Sequence, residues 1–334
     1  MVGVWKVESI IMYPMKLKPV IKEYLWGGSR LCSEYNMNTD SGIIAEDWAM
    51  SCHNDGLSVV ENGIFGGRSL KDVVSENPGF LGSGGGKEIE LLVKLIDAEK
   101  NLSVQVHPNN EYAQKFENDN GKTEMWYVVD CKEDASIFCG FTHSFCESDY
   151  SDEEIRKKIA DGTITQVLQK HKVRKGDVFF IPPGTVHAIN GGVLIAEIQQ
   201  SSNVTYRLFD YNRTDKDGNK RPLHIEKALD VMQITPFWTQ EQNDIQNYDG
   251  HKGKYSLRLL KNCEYFDVKE LETETEAVLS ATSSSFQNIL FLDGSGEILS
   301  QGFSEKFSKG NSFFIPAGLK YKIKGTCRAI LTSL

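Results

Sequence analysis

Along most of this chain the apolar positions come in short alternating or continuous blocks bounded by turn residues. Helical spacing is the exception. Residues 15–65 are brief polar and apolar pieces punctuated by Gly27-Gly28, Asn54-Asp55-Gly56 and Gly66-Gly67, a spacing that predicts strands and turns. Ser69–Glu76 breaks the pattern: Leu70, Val73 and Val74 share one helical face, and Asn77-Pro78-Gly79 ends the segment, predicting a short helix. Ser83–Gly86 (SGGG) reads as a flexible joint. From Glu90 the runs LLVKLID, LSVQVHP and TEMWYVVD are rich in β-branched and aromatic residues and predict strands.

Ser151–Lys172 changes character. Ser151 followed by Glu154 is a capping-box signature, and Ile155, Ile159, Val167 and Leu168 predict two short amphipathic helices around Asp161-Gly162. A further helix is expected within Leu223–Gln233, and the polar stretch Thr239–Gly253 reads as a linker. Beyond it the chain again predicts only strands.

An internal repeat ties the two parts together. Lys175–Ile189 reads KGDVFFIPPGTVHAI and Lys309–Ile323 reads KGNSFFIPAGLKYKI. Each copy predicts a strand, a Pro/Gly turn and a returning strand, and repeated hairpins of this kind suit jelly-roll barrels, whose closure removes exposed edges. The expected architecture is mainly β. It has a first barrel domain over residues 1–249, carrying the helical segment near 151–172, and a second over 250–334. His187 aligns with Tyr321, so a metal ligand at that position is expected only in the first barrel.

Composition narrows the function classes. A net charge of −9 gives no global field toward nucleic acid or anionic membrane, and an anionic substrate would have to be met by a few local cations. The seven cysteines are scattered and form no CxxC pair, which favours buried free thiols in a reducing, cytoplasmic setting. Lys6, Glu8, Lys16 and Lys18 interrupt the apolar residues at the N-terminus, and neither a signal-type core nor a membrane-length span follows.

The candidate chemistry is a metal site. Residues two apart on a strand share a face, so Gln105 and His107 project together. Glu124 lies in an apolar strand on the face of Trp126, where a carboxylate is costly unless paired, hydrogen-bonded or metal-bound. His187 follows the Pro182-Pro183-Gly184 turn, between Val186 and Ala188. Imidazole and carboxylate donors suit zinc, and a set of fewer than four strong ligands leaves a position open for chemistry. Any one of these residues alone reads more simply as a core or surface residue, as His53, His143, His171, His224 and His251 do. Their joint occurrence on barrel strands favours the metal.

LSVQVHP (102–108), GKTEMWYV (121–128), IPPGTVHAI (181–189) and NVTYRLFDY (203–211), with YLWGG (24–28) and IAEDWAMS (44–51), resemble type I mannose-6-phosphate isomerases in order and spacing. The short stretch between Glu124 and His187 resembles the short bacterial form, with no room for the large helical insertion of the long one. The resemblance implies two cupin-type barrels, one zinc ion per chain, and interconversion of mannose 6-phosphate and fructose 6-phosphate. It carries the zinc ligands onto His107, Glu124 and His187, with Gln105 the least secure. The catalytic arginine falls on Arg207, an acidic pocket residue on Glu197 and a motif lysine on Lys122. Candidate phosphate-binding positions fall on Ser103 and Lys94. Residues 1–14 look like an extension, and Asn109-Asn110 stand where the family commonly has Asp-Asp.

An aldose–ketose isomerase moves a proton between C1 and C2 through an enediol. It needs a base, stabilisation of developing charge on oxygen, and a grip on the phosphate. Arg207 stays cationic and suits an anionic partner, whereas Glu197 and Lys122 are both candidates for the proton carrier. The plain alternatives are an ion pair between Arg207 and Glu197, a cross-strand hydrogen bond for Ser103, and a Lys94 that snorkels to solvent. Two rival functions are an iron-dependent cupin oxygenase, which would favour a more histidine-rich or facial-triad shell, and a non-catalytic sugar-binding cupin. The expected partner is a small sugar phosphate, and a monomer is compatible with the sequence.

Overall fold

The computed structural model describes residues 12–215, 217–237, 247–248 and 255–334. The chain is mainly β, with strands gathered into sheets of ten, six and five. Most of the expected extension (1–11) and most of the expected linker (239–253) lie outside the described residues. Asn247–Tyr248, within that linker, forms a two-residue strand paired with Leu257 and Arg258.

The first barrel is a pair of facing sheets. The six-stranded sheet runs, in spatial order, Val178–Ile181, Glu124–Cys131, Val193–Gln200, Leu91–Ala98, Glu46–Ser51 and Val20–Lys22. The five-stranded sheet runs Tyr206–Phe209, Val104–Val106, His187–Ile189, Ser136–Phe141 and Leu168–Lys172. Between them pack Trp126, Val128, Ile96 and Ile195 from one side, with Ile137, Cys139 and Ile189 from the other. The outer faces are covered too. Tyr127, Leu95 and Ala196 pack toward Leu290, Phe314 and Ile330 of the ten-stranded sheet. Tyr206 and Leu208 on the other face meet Ile155, Ile159 and Ala228 from helices. A strand covered on both faces reads as a continuous apolar run rather than an alternating one. This accounts for LLVKLIDA, whose residues Leu91–Ala98 are all buried.

Several local expectations are met. The helix at Leu70–Glu76 starts on Ser69, whose hydroxyl accepts from the Asp72 amide. The helix at Asp152–Ala160 carries the reciprocal Ser151–Glu154 capping box, and Ile225–Val231 is helical. The second helix expected after Asp161-Gly162 is instead one 3-10 turn at Ile164–Gln166, and Leu168–Lys172 becomes a strand paired with Ser136–Phe141. Five residues are too few to propagate a helix in isolation, and the open edge of the five-stranded sheet offers them a backbone ladder instead. Within 15–65 the turn-rich reading missed the helix Arg30–Tyr35.

The repeat holds at the level of strands and is corrected at the level of hairpins. In the first copy Val178–Ile181 pairs with Glu124–Cys131 in one sheet, while His187–Ile189 pairs with Val104–Val106 and Ser136–Phe141 in the other. The Pro/Gly turn therefore carries the chain across the barrel. Prolines 182 and 183 lack the N–H groups that a hairpin ladder would use, and Gly184 donates its amide to the His107 carbonyl at 2.9 Å. The SGGG segment is likewise not a free joint: Ser83 and Gly84 donate to the carbonyls of Ser283 and Ser284 at 3.2 and 2.7 Å. The preceding Gly82 lies at φ +84, and a Cβ there would fall 2.5 Å from the Ser284 backbone.

The ten-stranded sheet contains the strands of residues 255–333 and also takes in Met15–Lys18 and Val59–Val60. Its interior is filled by Phe291, Phe307, Phe313, Ile323 and their apolar neighbours.

Candidate active site

The inner faces of the two small sheets converge on a polar cluster. From the six-stranded sheet come Glu124, the first residue of its strand, with Lys122 just before it, and Lys94 and Glu197, which face each other across neighbouring strands. From the five-stranded sheet come Gln105, His107, His187 and Arg207. Gln105 is the cross-strand partner of both His187 and Arg207. The alternation of strand side chains delivers all of them to one interior.

His107, Glu124 and His187 are fully enclosed, and their ligand atoms lie within 4.8 Å of one another. Among the described residues they are the group of His, Cys, Asp and Glu side chains that converges in this way. His187 Nε2 is 3.3 Å from Glu124 Oε1, and His107 Nε2 is 3.6 Å from Oε2. Each imidazole is tied through its other nitrogen: His107 Nδ1 donates to the Val204 carbonyl and His187 Nδ1 to that of Thr185, both at 2.9 Å. That fixes the tautomer in which Nε2 offers a lone pair to the centre, the outer-shell arrangement typical of metal-ligating histidines. Burial holds both imidazoles neutral, His107 well below the usual histidine range and His187 pushed down to about 4. Burial also drives Glu124 up to about 7 against the pull of Lys122.

The site thus fits a divalent cation by its donor chemistry. Two neutral imidazole nitrogens and a carboxylate face one point. The Lys122 ammonium already stands at its edge, 2.8 Å from Glu124 Oε2 and 3.2 Å from His107 Nε2, marking where positive charge is favoured. Gln105 sits beside it with its amide nitrogen 3.4 Å from His187 Nε2, while its oxygen accepts from Ser103 Oγ at 3.3 Å. Ligation through the carbonyl requires that amide to turn over.

A cavity of about 290 Å³ opens above the cluster, lined by Ser103, Gln105, Lys122, Glu197, Arg207 and Arg221 among others. A larger hollow of about 690 Å³ lies on the ten-stranded sheet around Arg328 and Tyr255, but it holds none of the converging donors. Glu197 does not pair with Arg207. Its Oε1 is 3.2 Å from Lys94 and 3.9 Å from Lys122, and its Oε2 accepts from Trp126 Nε1 at 3.0 Å. Burial alone would raise its carboxyl, but the two lysines and the indole outweigh it, leaving Glu197 below the ordinary range and ionised at neutral pH. Lys94 is 3% exposed and so does not snorkel. It lies between Glu197 and Glu46, with Glu46 Oε2 at 3.5 Å and the Trp48 ring beneath it. Arg207 makes no ion pair among the described residues. Its Nη1 donates to the Pro222 carbonyl at 3.0 Å, and its buried Nε has no partner.

The sequence reading missed Glu46, Trp126 as a donor, and Arg221. Glu46 sits in the IAEDWAMS motif, which signalled the strand without its role. Arg221 lies in a polar loop and gave no periodic signal.

The first part of the chain, residues 14–144, matches the family model for the catalytic domain of type I phosphomannose isomerase. Residues 256–334 match the model for the cupin domain of mannose-6-phosphate isomerase. The mannose-6-phosphate isomerase ManA of Bacillus subtilis is 36% identical over 323 residues, covering 96% of this chain and 99% of that protein. The chain belongs to the type I mannose-6-phosphate isomerase family. The members of this family are aldose–ketose isomerases, and the chain is an enzyme of that kind. The mannose-6-phosphate isomerase of Streptococcus mutans is 41% identical over 235 residues, 69% of this chain and 72% of that one. The crystal structure of the Bacillus subtilis mannose 6-phosphate isomerase superposes with a TM-score of 0.86 at 33% identity, covering 96% of this chain and 99% of that one.

The second barrel of the fold can be aligned with the first by register. Ile181 faces Glu124, and its repeat counterpart Ile315 faces Gln287. His187 faces Gln105, and its counterpart Tyr321 faces Leu279. Two residues further on, Ala281 takes the place of His107. The positions of the donor set are thus Gln287, Tyr321, Leu279 and Ala281, and the Tyr321 hydroxyl donates to Gln287 Oε1. The second barrel keeps the geometry and replaces the ligands.

Proposed function

We propose that this protein interconverts mannose 6-phosphate and fructose 6-phosphate, using one zinc ion per chain and an enediol intermediate. The observation that carries the reading is the triad His107, Glu124 and His187, with both imidazoles held in the metal-ready tautomer beneath a cavity lined by cations. Its donor set, two nitrogens and a carboxylate with Gln105 as a further candidate, leaves a coordination position open to substrate. When bound there, zinc supplies Lewis acidity toward sugar oxygens and orients the C1–C2 end of the substrate.

The chain's own groups divide the remaining work. Glu197 faces the cavity as a carboxylate, held ionised by Lys94, Lys122 and Trp126, which suits it to take the proton at C1 or C2 and return it to the other carbon. Lys122 is engaged by Glu124 and suits passing one proton between the C1 and C2 oxygens, giving it to the carbonyl oxygen and recovering it from the neighbouring hydroxyl. Arg207 brings an uncompensated guanidinium to the substrate's developing or fixed negative charge. Ser103 lines the same cavity with its hydroxyl toward Gln105. The apolar sheets on either side exclude bulk water, which strengthens each of these interactions. All seven cysteines are free thiols, which supports a reducing, cytoplasmic setting.

The test is turnover. Purified protein supplied with mannose 6-phosphate in a coupled assay is expected to form fructose 6-phosphate, to lose activity on chelation, and to regain it with zinc. A zinc-replete preparation inactive on mannose 6-phosphate would overturn the reading.

A further inference from the structure

We propose that Arg221, held in place by Asp210, is the residue that selects a phosphorylated sugar, gripping the phosphate together with Arg207 at the mouth of the cavity. This rests on the function proposed above and adds a residue that neither the motifs nor the family resemblance singled out.

The argument begins with charge. At the cavity floor Lys94 is engaged by Glu46 and Glu197, and Lys122 by Glu124 and Glu197. Those ammonium groups are compensated and deep, at the end of the cavity that holds Glu197 and the His107–Glu124–His187 triad. A phosphate at the other end of an open hexose carries close to two negative charges at neutral pH and has to be met nearer the entrance.

Arg207 and Arg221 line that entrance. They are neighbours: Arg207 donates to the carbonyl of Pro222, the residue after Arg221. Arg207 lacks an ion-pair partner among the described residues, and burial, followed by the like charge of Arg221, pushes its guanidinium below the ordinary range. Two adjacent cations around an open cavity are unfavourable until an anion arrives, which is the usual signature of an anion site.

Asp210 sets the geometry. Arg221 donates Nε to Asp210 Oδ2 at 2.8 Å and Nη2 to Oδ1 at 2.6 Å, a bidentate fork that leaves Nη1 without a partner among the described residues. Asp210 is itself 6% exposed and also binds Arg213. Arg213 is not available to the substrate, since it donates to Asp210 and to the Asn101 carbonyl and lies over the Tyr211 ring. Arg213 and Arg221 share the single carboxylate of Asp210 and Arg207 beside them has no ion-pair partner among the described residues, so the mouth holds a surplus of positive charge matched to a phosphate dianion. With its fork used on Asp210, Arg221 offers the phosphate charge-assisted hydrogen bonds from Nη1 alone.

The experiment compares the zinc-loaded protein with its Arg221→Ala, Arg221→Lys and Asp210→Asn variants, using inorganic phosphate as the probe. Loss of one charged hydrogen-bonding group is expected to raise both KM for mannose 6-phosphate and the inhibition constant of inorganic phosphate roughly 10- to 100-fold, with kcat changing far less. Arg221→Lys is expected to recover only part of the loss, because it cannot form the fork on Asp210. Asp210→Asn is expected to raise KM more than it lowers kcat. An unchanged inhibition constant for phosphate in Arg221→Ala overturns the proposal. If Arg221→Ala does not fold, the Lys variant decides it: wild-type KM and phosphate inhibition there show that the fork is not used. Wild-type protein that binds phosphate at Arg221 but turns over no mannose 6-phosphate would refute the function and leave this assignment standing. Turnover with an Arg221-independent KM would do the reverse.

Discussion

Lys94 and Glu197 face each other directly across paired strands of the six-stranded sheet, 3.2 Å apart and each 3% exposed. Removing one partner of a buried pair strands the other, at a cost of about 3–5 kcal/mol. Lys94→Met is therefore expected to destabilise strongly, and the double variant Lys94→Met/Glu197→Gln by clearly less than the sum of its parts. Urea unfolding of the four proteins in the cycle checks this. Additive losses would mean that Glu46 and Lys122 each compensate their neighbour independently.

The register comparison makes a prediction about metal stoichiometry. Wild-type protein is expected to carry one equivalent of divalent metal, and His187→Ala to carry essentially none. Tyr321→His is expected to gain no second equivalent, because Leu279 and Ala281 stand where Gln105 and His107 are needed. Metal analysis of dialysed samples reads this directly, and two equivalents in Tyr321→His would contradict the alignment of the barrels.

Arg207 donates through Nη1 to Pro222, is not in the triad and, among the described residues, makes no hydrogen bond or ion pair with it. Arg207→Ala should retain its metal while losing about 10²–10³ in kcat/KM, the range for removing one preorganised charge-stabilising donor. Metal content measured beside turnover separates the two roles. Loss of the metal in this variant would make Arg207 a structural residue.

Asp47 supplies a pH dependence away from the site. Among the described residues neither of its buried carboxyl oxygens has a hydrogen-bond partner, and burial raises its carboxyl well above the usual range. Below pH ~4 it is protonated whether the chain is folded or not, and costs nothing. Above that, only the unfolded chain gains by ionising, so stability falls by about 1.4 kcal/mol per pH unit until the folded-state pKa is passed. Asp47→Asn is expected to remove this slope, so that its stability relative to wild type grows as the pH rises above about 5 until the folded-state value is passed. Parallel urea-derived stability curves for the two proteins would show that Asp47 finds a partner in solution.

Local chemistry in the sequence was enough to determine much of this protein. The Ser151–Glu154 box and the Leu70/Val73/Val74 face specify helices because a cap and one apolar stripe act over a single turn or two. The repeat specifies two related strand units because Pro and Gly at fixed positions restrict the backbone wherever they occur. His107, Glu124 and His187 were legible as donors because polar groups on apolar strands are costly without a partner. Tertiary structure decided where the strands go and how charges are matched. Leu168–Lys172 became a strand because a sheet edge was there to receive it, and the Pro182-Pro183-Gly184 turn crossed the first barrel because its two strands found partners in different sheets. Lys94 read as a candidate phosphate cation, with snorkelling to solvent as the plain alternative, and only the fold set Glu46 and Glu197 beside it. Arg221 carried no pattern at all. Its position depends on Asp210, Arg207 and Pro222 meeting at one cavity, and electrostatic fit between segments far apart in the chain or in irregular loops leaves no periodic trace to read.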